Sequence, residues 1–145
     1  MAAASITESF NCTSDEFYSI VSDYVNYPKF LSEVTKCRVM EEKGNCKLIE
    51  FQIFLIKNFT YRLWMKETAG KRLDWEFDSG DLFKASNGHW EIQPDGDGRC
   101  CKATYSVDVK FKIFVPGPVA NTLVKANLPN MVASYHKRVK ELYGK

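Results

Sequence analysis

The chain reads as an α+β fold: a curved seven-stranded antiparallel sheet wrapped around a long C-terminal helix, with two short helices after the first strand. Three observations predict it. From Cys101 to Ile113 every odd position is apolar or aromatic and every even one polar or charged, the alternation of a strand with one greasy and one wet face. At about 3.3 Å per residue this run would reach roughly 40 Å, so it is expected to bend around something. Four segments before it repeat the same period, and the C-terminal segment after Pro118 switches to helical spacing.

Ala4–Asn11 is predicted as the first strand, with Ile6 and Phe10 on one face. Thr13-Ser14-Asp15-Glu16 has the form of a capping box, flanked by Cys12 and Phe17 where a hydrophobic staple belongs. Phe17, Ile20, Val21 and Tyr24 then follow at the spacing of an amphipathic helix. Pro28 is suited to open a second short helix, Pro28–Glu33, anchored by Phe30 and Leu31. A meander follows. Val34–Lys43 turns at Gly44-Asn45, Lys47–Lys57 turns at Lys57-Asn58, Phe59–Glu67 turns at Gly70, and Arg72–Phe77 ends in Asp78-Ser79-Gly80-Asp81. Phe83–Gln93 is less regular, and Gly88 is expected to mark a bulge. Pro94–Gly98 is a loop before the long strand.

The final helix is expected to have Gly117 as N-cap and Pro118 at its first position. Val119, Leu123 and Ala126 form one apolar stripe. Leu128, Met131, Val132, Tyr135, Val139 and Leu142 form a second, on nearly the opposite side of an unbroken helix. Pro129 lies at the changeover, which predicts a kink there.

With 145 residues and no linker or repeat, the chain is expected to be one domain over 1–145. Aromatics reach 14%, so the apolar faces are built from large flat side chains, and a net charge of +2 gives no case for sequence-specific DNA recognition. Met1–Ser5 has neither a basic nor an apolar signal region, and no run is long enough to span a bilayer, so a cytoplasmic protein is expected. The five cysteines have no CxxC spacing; reduced thiols and no metal site are expected.

Asp23-Tyr24-Val25-Asn26-Tyr27-Pro28-Lys29-Phe30-Leu31, Phe83-Lys84 with Trp90-Glu91-Ile92, and Tyr135–Gly144 carry a resemblance over essentially the whole chain. They resemble the START and birch-pollen-allergen (SRPBCC) superfamily with its helix-grip fold. More narrowly, they are similar to the polyketide cyclase/dehydrase and lipid transport family, in the branch of coenzyme Q-binding proteins and bacterial ribosome-association toxins. The chain departs from that pattern at Ser32, where proline is usual, at Val34, where cysteine is frequent, and in the proline-rich Val115–Pro118.

The resemblance implies a binder of a hydrophobic small molecule, a quinone such as ubiquinone or another isoprenoid lipid, with a role in respiration and peripheral contact with the inner membrane. From the strand faces, the expected cavity walls are Phe51, Ile53, Tyr61, Leu63, Trp75 and Phe77 on the meander and Tyr105 and Val107 on the long strand. Leu123, Leu128, Met131 and Tyr135 face them from the helix. Tyr61, Tyr105 and Tyr135 could donate to ring oxygens, or be core tyrosines bonded to backbone.

Two other readings stand beside this one. Lys102, Lys110 and Lys112, with Lys137, Arg138, Lys140 and Lys145, could touch ribosomal RNA as in the toxin branch, or be solvated surface. A cyclase-type enzyme would need titratable groups in the pocket. His89 is the one candidate, if Gly88 shifts the register, whereas His136 falls on the polar side of its helix. Glu50, Asp74, Glu76 and Asp108 alternate outward. No catalytic motif is present, so no catalytic residue and no cofactor is assigned.

Overall fold

A computed structural model describes residues 2–55, 57–112, 116, 118, 120 and 128–144. The chain runs β1 (Ala2–Phe10), α1 (Ser14–Val21), a 3-10 helix (Tyr24–Lys29), β2 (Val34–Lys43), β3 (Cys46–Leu55), β4 (Lys57–Thr68), β5 (Arg72–Gly80), β6 (Phe83–Asp95), β7 (Cys100–Phe111) and α2 (Leu128–Tyr143). The strands form one antiparallel sheet in the order β1-β7-β6-β5-β4-β3-β2, so the last strand returns beside the first. Together with α2 this is the helix-grip fold. Among the described residues no helix is long and apolar enough to cross a membrane.

The capping box forms as the residue spacing requires: the Glu16 amide donates to Thr13 Oγ1 at 3.1 Å, and the Thr13 amide donates to Glu16 Oε1 at 2.9 Å. Thr13→Ala should therefore lower the urea midpoint by the equivalent of about 1 kcal/mol. An unchanged midpoint would show that α1 is held by its apolar face alone. That face, Phe17, Ile20 and Val21, is buried. Phe17 stacks on Phe10 at 4.4 Å and meets Trp90 edge-on at 5.3 Å, which locks α1 onto β1 and β6.

Several boundaries differ from expectation, each for a physical reason. The second helix is not Pro28–Glu33 but a 3-10 helix ending at Lys29, with Pro28 inside it. A period of three stacks Tyr24 and Tyr27 on one side, and both are buried. Lys57 and Asn58 are not a turn but already β4, paired with Leu55 and Phe54. Asp78, Ser79 and Gly80 belong to β5 despite their turn-forming composition. Ser79 and Gly80 stay in register with Arg62 and Tyr61, and Trp64 Nε1 donates to Asp78 Oδ1 at 3.1 Å.

Gly88 is not a bulge. It sits in regular register with Trp75 and Val107, and the shift in β6 falls between Phe83 and Ala85. Glycine is required there by proximity: a Cβ would lie 2.3 Å from the Ser106 carbonyl oxygen and 2.6 Å from Trp75 Cζ2.

In α2, Val132, Tyr135 and Val139 are buried but Leu142 is exposed. The buried line advances by four residues to Tyr143, whose hydroxyl donates to the Glu16 carbonyl at 3.2 Å. Pro129 is the second residue of α2, and the segment before Leu128, where the kink was expected to begin, lies outside the described residues. Pro118 and Ala120 are helical, and Ala120 packs near Val109. The Gly117 cap, Ile113 at the end of the long run, and the stripe residues Val119, Leu123 and Ala126 lie outside the described residues.

Candidate functional site

The inner face of the sheet and α2 share one apolar cluster. Phe51, Ile53, Leu63, Trp75 and Tyr135 are buried in it, and Tyr61, Phe77, Tyr105, Val107 and Met131 pack against it while keeping part of their surface accessible. Leu128 is half-buried at the start of α2; Leu123 lies outside the described residues. Ring contacts run continuously around this face: Phe51 on Tyr61 (5.2 Å), Trp75 on Tyr105 (5.7 Å), Tyr105 on Trp90 (5.0 Å) and Trp90 on Tyr135 (5.3 Å). Period-two alternation on β3, β4, β5 and β7 is what brings these rings to one side.

Phenols converge inside this wall. Burial drives Tyr27, Tyr61, Tyr105 and Tyr135 well above the ordinary phenol value, Tyr135 and Tyr105 add to it for Tyr27, and Tyr105 does so for Tyr61 and Tyr135. All four are therefore neutral hydrogen-bond donors at physiological pH. The Tyr27 hydroxyl donates to the Val21 carbonyl and shares a hydrogen bond with Tyr135. Tyr61 and Tyr105 make no hydrogen bond among the described residues. Two neutral donors thus stand in an apolar wall.

Four further residues belong to this region and escaped sequence reasoning. Glu33 lies close enough that its charge raises Tyr61, Tyr105 and Tyr135 after desolvation. Desolvation pushes the Cys37 thiol up to about 12, so it is a neutral wall residue. Tyr27 could have been found from its three-residue spacing to Tyr24. Ser86, at 4% exposure the one buried polar residue described, is inward on the same alternation as Trp90 and Ile92.

The candidates for chemistry do not converge. His89 stays on the outer face between Asp74 and Ser106, since no bulge at Gly88 turns it inward. His136 is not simply solvated: its ring lies 4.5 Å from that of Phe10, and Nε2 is 3.6 Å from Glu8 Oε1. Glu50 faces outward, where hydrogen bonds from Arg38 and Arg62 lower its carboxyl. Arg138, counted among the surface charges of the C-terminus, covers the Phe30 ring at 5.3 Å and is 16% exposed, so it is largely withdrawn from that patch. None of the five cysteines forms a disulfide among the described residues. Among the described residues there is no group of side chains that could hold a metal.

A groove of ≈ 1360 Å³ crosses the other, outer face of the sheet, from Ala3 and Ser5 on β1 to Trp64 and Lys66 on β4. Trp75, Phe77 and Val107 of the inner cluster also line it.

Residues 11–135 match the family described as polyketide cyclase / dehydrase and lipid transport. The chain belongs to that family. Among solved structures, a START superfamily protein from Mycobacterium smegmatis is similar over 98% of this chain and 99% of its own, with a TM-score of 0.89 at 21% identity. The STAR-related lipid transfer protein from Xanthomonas axonopodis is similar over 95% and 85% (TM-score 0.80, 13% identity). The Zhui aromatase/cyclase from Streptomyces sp. R1128 is similar over 94% and 90% (TM-score 0.77, 10% identity). At these identities the likeness is one of fold. Membership of the polyketide cyclase / dehydrase and lipid transport family is what ties the apolar inner face to the binding of hydrophobic small molecules.

Proposed function

We propose that the protein binds a hydrophobic small molecule between the inner face of the sheet and α2, and that this molecule carries oxygen acceptors, as a quinone does. One observation carries the reading: the hydroxyls of Tyr61 and Tyr105 are neutral and make no hydrogen bond among the described residues, within an apolar aromatic wall. Burial of a polar donor without a partner costs roughly 1–3 kcal/mol, so an acceptor brought by a ligand restores what the fold leaves unmet. The aromatic walls supply most of the affinity. Covering about 400 Å² of apolar ligand surface contributes about 10 kcal/mol before association costs of several kcal/mol, consistent with micromolar binding. A quinone occupant would connect the protein with respiration.

Decylubiquinone titration, followed by quenching of the interior Trp75 and Trp90, tests the reading. Saturable micromolar binding is expected. Tyr61→Phe and Tyr105→Phe should each weaken it by about three- to tenfold, with unfolding midpoints nearly unchanged. N-phenyl-1-naphthylamine, which has no carbonyl, should bind parent and variants alike. Equal quinone affinity in all three proteins would remove the tyrosines from the site. Failure of both probes to bind, together with no apolar molecule recovered by native mass spectrometry from the natural host, would end the binding reading.

A further inference from the structure

Two of the five thiols meet inside the fold. Cys101 pairs with Phe10 across the β1–β7 ladder, and Cys12 follows Phe10 by two residues. Cys12 and Cys101 both belong to the inner apolar cluster, each at 0% exposure, and they share a side-chain hydrogen bond. That bond sets sulfur against sulfur. The neighbouring pair turns the other way: Cys100 is half-buried, and its thiol donates to Asn11 Oδ1 at 3.9 Å. Cys37 lies opposite Phe51, and Cys46 opposite Lys66, in other parts of the sheet.

The surroundings of this pair differ from those of the other buried thiol. At Cys37, desolvation pushes the thiol up to about 12. Cys101 is lowered instead. The hydrogen bond from Cys12 is the largest cause; with help from the Phe10 backbone it outweighs desolvation and the charges of Cys100 and Asp95. Two donors therefore hold the Cys101 sulfur as an acceptor, the setting in which a thiolate forms and attacks.

Three elements converge at this corner. Cys12 directly precedes Thr13, the cap of α1. The Phe10 ring beside it carries Phe17 of α1 at 4.4 Å and His136 of α2 at 4.5 Å. Tyr143, in the last turn of α2, packs on the same cluster and donates to the Glu16 carbonyl at 3.2 Å. Burial raises the Tyr143 phenol, and Glu16 and then Cys12 add to it, which sets this turn close to the Cys12 sulfur. Helix ends open locally at low cost, so fraying of that turn gives a small oxidant its way in.

We propose that Cys12 and Cys101 form a redox modification site, a dithiol that hydrogen peroxide converts into a disulfide joining the entry of α1 to β7. The Cys101 sulfur attacks one peroxide oxygen. The O–O bond breaks, an S–O bond forms, and the departing hydroxide leaves as water with the Cys101 proton. The Cys12 sulfur then attacks the Cys101 sulfur. The S–S bond forms, the S–O bond breaks, and the second hydroxide leaves as water with the Cys12 proton. Two thiols are oxidised and one peroxide is reduced to two waters; a dithiol reductant reverses the change. The bridge closes a loop of about 90 residues, so the oxidised protein resists unfolding more than the reduced one. The site is independent of what the interior binds.

The reduced protein is treated with hydrogen peroxide under native conditions, alongside Cys100→Ser, which removes the adjacent thiol and makes peptide mapping unambiguous. In both, the mass should fall by about 2 Da, and dithiothreitol should restore it. Tryptic mapping of oxidised Cys100→Ser should join the Cys12 peptide to the Cys101 peptide. The urea midpoint should rise on oxidation in both proteins and fall back on reduction. In Cys12→Ala no bridge should form at Cys101, and dimedone should label a sulfenic acid there instead. Should Cys12→Ala fail to fold, the mapping and midpoints of Cys100→Ser decide alone. A bridge between any other pair in Cys100→Ser would overturn the site. So would thiols that survive peroxide until urea unfolds the chain, or a Cys12–Cys101 bridge that lowers the midpoint.

Discussion

Replacing Gly88 by valine is expected to cost about 3 kcal/mol or more, enough to leave much of the protein unfolded at 37 °C. The new Cβ would stand 2.3 Å from a backbone oxygen of β7 and 2.6 Å from the Trp75 indole, and neither neighbour yields easily. Ser106 is held by its pairing with both His89 and Ser5, and Trp75 by Tyr105. Gly88→Ala should show the same effect at smaller size. Equilibrium urea unfolding measures it. A Trp75→Leu/Gly88→Ala double variant should recover only part of the loss, because the clash with the Ser106 oxygen remains. Full recovery would show that β7 can give way, and a Gly88→Val protein as stable as the parent would mean that the close approach is not maintained in solution.

Alkaline pH should unfold the protein in one cooperative step. Tyr24, Tyr27 and Tyr135 are buried, and desolvation raises each above its ordinary value, reinforced for Tyr24 by the hydrogen bond that its hydroxyl donates to Glu67 at 2.6 Å. In the unfolded chain these phenols release their protons near pH 10, whereas the folded chain retains them. The stability they supply is thus complete below about pH 10 and is lost as pH rises beyond it. Three such groups remove about 4 kcal/mol by roughly pH 11, a large share of the stability of a domain this size. Tyr61 and Tyr105 act in the same direction. Phenolate absorbance at 295 nm should therefore rise together with loss of the near-ultraviolet dichroism. Gradual phenolate formation in a protein that keeps its native dichroism would contradict the burial of these hydroxyls.

Much of the fold was legible along the chain because it depends on short-range periodicity. The capping box, the limits of β2 and the inward sets on β3, β4 and β7 follow from which neighbours alternate, and every strand of the meander was anticipated. What was misplaced depends on the partner across the sheet. Asp78-Ser79-Gly80 has the composition of a turn, yet β4 holds it extended. Pro28 could open an α-helix, yet stacking Tyr24 over Tyr27 favours a tighter winding. Gly88 looks like a bulge because glycine weakens a strand, and its actual role is to let Trp75 and β7 come close. Leu142 belongs to the helical stripe by spacing but projects beyond the elements that bury Val139.

The candidate site divides in the same way. Tyr61, Tyr105, Trp75 and their neighbours were recognised as inward from alternation, since side-chain direction on a strand is a property of the strand alone. Glu33, Cys37 and Tyr27 were not, since their place near the phenols depends on how the 3-10 helix and the start of β2 close around the sheet, and Ser86 was passed over although it shares the alternation of Trp90 and Ile92. By itself the amino-acid order determined a seven-stranded grip on a C-terminal helix and an aromatic inner face. Only the tertiary structure decided which phenols make hydrogen bonds, that His89 faces away from them, and that the β5–β6 ladder ends at Trp75–Gly88. Hydrogen bonding between distant strands is settled by register and curvature, which no local run of residues encodes.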